Sequence, residues 1–321
     1  MTTATIPIPS LDDVALDFLD VVTEWDVEAP YQSWGPATLV PATFQPATAP
    51  RVFVVANNKG GVAKSTTAVE LAAAWAAAGF RVRLIDADTQ GDSLSDWIEP
   101  LYPEDLPYDQ RFSLRHVFLG TDEDPVRGIA SRRVGIDEAT WPTRFANLYL
   151  VPSYGDLTRV EYERKGTTEH ALKRALAESK EHFDVTVIDA SRSMSLVVLA
   201  ALIAADDVII PVKIGVSDAR AVGSLHATLV QVQEYDNPKL RVAAILTTMW
   251  TKSNLARQVE EQLAEDYPDA MISPIREMIR VAEAAATGMP ARMHAPRCTA
   301  TADYQQVARL LLPRLPRQAG A

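Results

Sequence analysis

Residues 57–66 read Asn-Asn-Lys-Gly-Gly-Val-Ala-Lys-Ser-Thr, and no other stretch so narrows what this 321-residue chain can fold into. An apolar, strand-like segment, Val52–Ala56, runs into it, and a helix-like segment, Thr66–Ala78, runs out of it. In such a turn the backbone N–H groups and the positive end of the following helix converge on one point, which favours a phosphate. Lys64 would reach the terminal phosphates, and the Ser65 hydroxyl would ligate Mg²⁺. Lys59 is a second lysine that an ordinary phosphate loop does not need. The run departs from the general pattern G-x-x-x-x-G-K-[ST], with Asn58 at the first Gly position and Ala63 at the second. Taken alone, it also suits a strand–helix turn with two solvated lysines.

The chain from Arg51 onward extends the pattern. Apolar runs at Arg51–Ala56, Arg81–Asp86, Leu148–Pro152, Val185–Asp189, Asp207–Val212 and Val242–Thr247 predict strands. Helical patterns at Ser65–Ala78, His170–Glu181, Ala219–Gln233 and Asn254–Asp266 separate most of them. Near-continuous Val/Ile/Leu strands alternating with helices predict an α/β fold: a doubly wound, mostly parallel sheet with helices on both faces. Ligands then bind at the carboxyl ends of the strands, where the 57–66 loop sits.

Residues 1–50 form a separate extension. Ser10 with Asp13 resembles a capping box, and Leu11, Val14, Phe18, Val22 and Trp25 recur at helical spacing. Pro-Ala-Thr recurs at 36, 41 and 46, which predicts an extended linker. The expected division is therefore 1–50, an acidic amphipathic helix and Pro-rich linker, and 51–321, the α/β domain. The short helix needs a surface: a partner, a second copy or its own main domain.

Charge is unevenly placed. Residues 1–50 hold seven of the 42 acidic residues and none of the 31 Lys and Arg, so most of the net −11 lies there. Residues 271–321 carry seven Arg against three acidic residues. The acidic balance argues against a broadly basic nucleic-acid binder but leaves room for a local basic face. The single Cys298 excludes a disulfide framework and a cysteine-held cluster, and reads as an inert small residue. Met1–Ser10 shows no secretory signal, and Leu196–Ala205 is shorter than the about 20 apolar residues a bilayer needs, so a cytoplasmic protein is expected.

Carboxylates close two further strands. Arg81–Asp86 continues into Asp88, and Phe183–Asp189 ends on Asp189. Asp is a common turn residue, but beside a phosphate loop it suits a metal contact. Ser65 and Asp189 would supply oxygens for Mg²⁺, and a second carboxylate would orient the attacking water.

These residues resemble the ParA/MinD ATPases. Lys59–Thr66 resembles their deviant Walker A motif, KGGVGKTT, Ile85–Gly91 resembles IDxDPQG, and Val187–Asp189 resembles the Walker B strand. The likeness runs from about Arg51 to Leu312 and is closest to the Soj-type partitioning branch. It implies ATP and Mg²⁺ as cofactors, held by Lys59, Gly60, Gly61, Val62, Ala63, Lys64, Ser65 and Thr66, with Asp189 the second metal-side residue. It implies Lys59, Lys64 and Asp88 as catalytic residues. Lys59 would be the signature lysine that reaches the partner's nucleotide, and Asp88 would prepare the hydrolytic water.

The resemblance further implies an ATP-dependent sandwich homodimer, associated with the nucleoid through non-specific DNA binding. A ParB-like centromere-binding protein would stimulate slow hydrolysis and release the dimer. Lys252 and Arg280 fall where that branch carries DNA-contacting basic residues. A MinD-like membrane-positioning ATPase and a nucleotide-bound adaptor remain alternatives, but Val307–Leu312, cut by Pro313 and Pro316, makes a poor membrane anchor. The departures are Ala63, Thr89 for Pro, Ser191-Arg192 for Pro-Pro after Walker B, and Arg276-Glu277 for Pro-Arg.

Overall fold

All six expected apolar runs form strands of one sheet. The computed structural model describes residues 51–89, 94–123, 130–163, 167–214, 216–276 and 279–312. The helix and linker expected in residues 1–50 lie outside the described residues. The strands are β1 (Arg51–Val55), β2 (Val82–Ala87), β3 (Trp141–Pro142), β4 (Leu148–Val151), β5 (Val185–Ala190), β6 (Asp207–Lys213), β7 (Arg241–Thr248) and β8 (Met271–Ile275). Their spatial order is β3-β4-β2-β5-β1-β6-β7-β8. Every pairing is parallel except β3 with β4. The apolar pattern does not mark β3 or β8. β3 is two residues long, and β8 carries Pro274, which an edge strand tolerates.

The helices are α1 (Lys64–Ala77), α2 (Leu94–Trp97), α3 (Leu114–Leu119), α4 (Arg159–Tyr162), α5 (Ala171–Ala177), α6 (Leu196–Ala204), α7 (Val216–Tyr235), α8 (Asn254–Asp266), α9 (Ile279–Ala286), α10 (Ala291–His294) and α11 (Thr299–Leu311). Strand alternation divides the core between the two faces of the sheet. Phe53 and Val55 join α1 and α11, while Val52 and Val54 join α6 and α7. With both faces covered, the central strands are buried along their whole length, which is why they read as unbroken apolar runs.

One expected helix is shorter than its pattern. The helix expected over His170–Glu181 stops at Ala177. Beyond it the N–H groups of Lys180 and Glu181 donate to the Asp137 carboxylate at 2.7 and 3.3 Å, so an acceptor outside the helix takes them. The Leu196–Ala205 run forms α6, capped by Ser195, whose hydroxyl accepts from the Val198 N–H at 3.2 Å. Among the described residues no helix is long and apolar enough to cross a membrane.

Cys298 is more than a filler. Its sulfur caps α11, accepting from the Thr301 N–H at 3.4 Å. Val307, Ala308 and Leu311 of α11 pack into the core that contains α1. The apolar residues weighed as a membrane anchor are thus already used in packing.

Candidate functional site

β1 lies between β5 and β6, so the loop that leaves its carboxyl end opens at the centre of the sheet. Register places Val55 beside Asp189 and Asp189 beside Asp86, one row across three strands. The phosphate loop and both strand-terminal carboxylates therefore meet at one edge.

The loop is tied down on several sides. The Asn57 side-chain amide donates to the Pro211 carbonyl at 2.7 Å, and its oxygen accepts from the Lys59 N–H at 3.0 Å. Asn58, the residue in place of the first pattern glycine, donates to Ser224 Oγ on α7 at 2.9 Å. Thr248 at the end of β7 donates to the Val62 carbonyl at 3.2 Å. Gly61 and Ala63 both take left-handed backbone, φ 70° and φ 69°. Ala63 is the residue preceding α1, and its carbonyl already accepts from the Thr67 N–H at 2.9 Å. The missing glycine thus leaves its backbone geometry behind.

Lys64 is buried, and its ammonium donates to the Lys59 carbonyl at 2.9 Å, across the mouth of the loop. Burial lowers its pKa, Asp189 and Asp88 pull it upward, and Arg192 adds to the lowering. Asp189 is fully buried. Neither of its carboxylate oxygens has a hydrogen-bond partner of good geometry among the described residues, although the Ser65 hydroxyl lies close enough to favour its charge. Burial first, then the Asp86 carboxylate, push its pKa well above the ordinary range. An orphaned carboxylate beside a hydroxyl and a lysine is costly unless a cation completes it.

Asp86 has a different job. It accepts from the Ser95 N–H at 2.9 Å, the Ser95 hydroxyl at 2.5 Å and the Asp88 N–H at 3.1 Å, which pins the turn after β2. Burial raises its pKa to about 6. Asp88 is half-buried, and its carbonyl accepts from the Ser153 hydroxyl at 3.1 Å. The sequence pattern marks Asp86 only as a strand end. A strand-terminal Asp followed by a turn is the one signal of its clamping role.

The structure thus brings together Lys59, Gly60, Gly61, Val62, Ala63, Lys64, Ser65 and Thr66 with Asp88 and Asp189. Lys252 and Arg280 belong to other segments of the chain. Both are exposed, and they follow the carboxyl ends of the adjacent strands β7 and β8. The Trp250 backbone N–H, bonded to the Ile275 carbonyl at 3.0 Å, ties the segment after β7 to the end of β8, and Arg280 lies in the first turn of α9. Arg280 also pairs with Glu283 at 2.8 Å. Arg276, one of the noted departures, holds Asp303 of α11 through its guanidinium at 2.6 Å and its backbone N–H at 2.9 Å. It serves structure there. Among the described residues no group of three or more His, Cys, Asp or Glu could hold a metal by itself. A cation at Ser65 and Asp189 would complete its shell with water or ligand oxygens.

A phosphate loop at the centre of a parallel sheet, with carboxylates at neighbouring strand ends, defines a nucleotide-hydrolase architecture. Comparison with known proteins agrees. Residues 50–242 match the AAA_31 family, described as AAA domain. The chromosome-partitioning ATPase Soj of Thermus thermophilus is 33% identical over 83% of this chain and 96% of its own length. The sporulation initiation inhibitor protein Soj of Bacillus subtilis is 31% identical over 81% and 97%. A crystal structure of cobyrinic acid a,c-diamide synthase from Mycobacterium smegmatis, with bound ADP and magnesium, superposes with a TM-score of 0.64. It is 29% identical and covers 84% of this chain and 100% of its own. The chain belongs to the ParA/MinD family of ATPases with a deviant Walker A loop.

Proposed function

We propose that this protein is a ParA-type DNA-partitioning ATPase that dimerises around ATP, binds duplex DNA without sequence preference, and lets go when a partner stimulates hydrolysis. One observation carries the reading. Lys59 and Lys64 share a single loop at the strand edge where the buried Asp189 carboxylate has no hydrogen-bond partner of good geometry among the described residues. A plain phosphate loop explains Lys64 but not Lys59. The similarity to Soj supports the partitioning branch.

Ser65 and Asp189 suit Mg²⁺, because an orphaned carboxylate and a hydroxyl are hard oxygen donors. Bound there with ATP, Mg²⁺ would neutralise phosphate charge. Lys64 is held ready by the Lys59 carbonyl and would swing onto the terminal phosphates. The backbone N–H groups of Gly60–Lys64 and Ser65–Thr66 would cradle the rest. Asp88 would accept a proton from, or orient, the water that attacks the terminal phosphate. Lys59 would extend from the loop to the nucleotide of a second copy. Lys252 and Arg280, beyond the carboxyl ends of the neighbouring strands β7 and β8, would neutralise DNA phosphates. The acidic segment 1–50 and the partner protein would act on this cycle from outside the α/β domain.

The test is sedimentation and light scattering with ATP and Mg²⁺, followed by retention on random duplex DNA. The expected result is a dimer that binds DNA at low salt and loses it steeply as salt rises. Dimers that pellet with liposomes and ignore DNA would replace this reading with membrane positioning. A dimer that releases no phosphate with DNA and partner present would make the protein a nucleotide-bound adaptor.

A further inference from the structure

Arg192 follows the Walker B strand at the place where the resembling pattern has proline. Its side chain lies over the phosphate loop. A Cβ built on Gly60 would stand 3.4 Å from Arg192 Cδ and 3.6 Å from Nη1, and would meet no other atom within 4 Å outside its immediate chain neighbours. The guanidinium thus rests on the bare, exposed backbone of the loop. Arg192 is itself exposed, and no hydrogen bond or ion pair holds it among the described residues.

The Asp189 and Asp88 carboxylates favour the charge on Lys64. Arg192 lies close enough to Lys64 to disfavour its charge. Lys59 belongs to the same turn. Arg192 and Lys64 repel one another beside the Gly60 backbone, and an anion placed between them relieves that repulsion. The Lys64 ammonium sits on the Lys59 carbonyl, next to Gly60. Lysine of a phosphate loop serves the terminal phosphates. Arg192 therefore stands at the terminal-phosphate end of the loop, away from the α1 end.

We propose that Arg192 is a terminal-phosphate ligand supplied by the same chain as the loop, through which the site tells a nucleoside triphosphate from a diphosphate. A guanidinium offers a rigid fork of donors that matches two phosphate oxygens at once. It would engage the γ-phosphate and lose that contact in the diphosphate. The proposal rests on the nucleotide-binding reading of the loop.

The experiment measures affinity rather than turnover. Equilibrium binding of a non-hydrolysable ATP analogue and of ADP, each with Mg²⁺, is compared for the parent, Arg192→Ala, Arg192→Lys and Lys64→Ala proteins. Arg192→Ala is expected to weaken the ATP analogue about ten- to a hundredfold, as for a lost charged hydrogen bond, and to leave ADP within about twofold. Arg192→Lys falls between the two. Lys64→Ala weakens both ligands. Equal losses for both nucleotides in Arg192→Ala, or no loss in either, overturn the assignment while leaving the nucleotide site intact. A parent protein that binds neither nucleotide overturns the nucleotide reading itself, and this proposal with it.

Discussion

At φ 69° and ψ 39° Ala63 holds a left-handed backbone that costs a residue with a Cβ about 1–2 kcal/mol. The strain is borne because the loop must turn there to aim its N–H groups and start α1. Ala63→Gly is expected to raise the unfolding free energy by about 1 kcal/mol, since glycine gives back part of the gain as chain entropy. Urea titration of both proteins measures it; an unchanged or lower midpoint would show that Ala63 is not strained. Asn58 makes the complementary point. Its side chain leaves the loop to hold α7 through Ser224, which a glycine could not do. The sequence names both departures, but a residue type does not reveal its dihedral angles or its partner.

Helix α1 shows how one element joins the site to the core. It is buried on nearly every side, with Trp75 stacked on Phe53 at 5.1 Å and its indole N–H donating to the Ala308 carbonyl at 3.0 Å. Glu70, six residues after Lys64, is also buried there, accepting from the Ala291 N–H at 2.6 Å, with Arg292 nearby. Burial raises the Glu70 pKa from 4.5 to about 7. A carboxyl whose folded pKa lies above its unfolded value gives stability that is full below pH 4.5 and is lost as pH rises through 7. The loss is roughly 3 kcal/mol. Glu70→Gln should remove most of this slope, since an amide oxygen still accepts from Ala291. Thermal melts of both proteins from pH 5 to pH 8 test it; parallel curves would sink the assignment. Apolar alternation and strand–helix order make α1 and its strand legible in the sequence. The two-residue β3, the Pro-containing β8 and the early stop of α5 are not, because partners remote in sequence create them.

For the whole molecule, the proposed cycle makes this chain one half of a larger assembly. Lys59 lies on a half-buried turn at the sheet edge, and the proposed cycle has it serve a second copy. Lys59→Ala should therefore remain monomeric at ATP concentrations that pair the parent protein, while each copy still binds nucleotide within a few fold. Size-exclusion chromatography with light scattering, beside a nucleotide titration, reads both quantities. Dimerisation equal to the parent's would remove Lys59 from that role. Lys252 and Arg280 belong to the same scale, since two basic residues separated in sequence follow strands β7 and β8, which only the sheet makes neighbours. At this scale the likeness to Soj covers most of both chains, which is what makes a joint reading of loop, carboxylates and basic edge reasonable.

By itself, the sequence determined the α/β class, the phosphate loop and the two motifs that set Asp88 and Asp189 beside it. These are local matters: apolar period, turn chemistry and spacing along one stretch of chain. Only the tertiary structure decided that Asp86 clamps a turn while Asp189 lacks a hydrogen-bond partner of good geometry among the described residues, that Ala63 adopts a glycine's geometry, and that Arg192 lies on Gly60. Strand order and burial control those outcomes. Segments more than a hundred residues apart in the chain meet at one edge of the sheet, and removing water there changes what a charge needs.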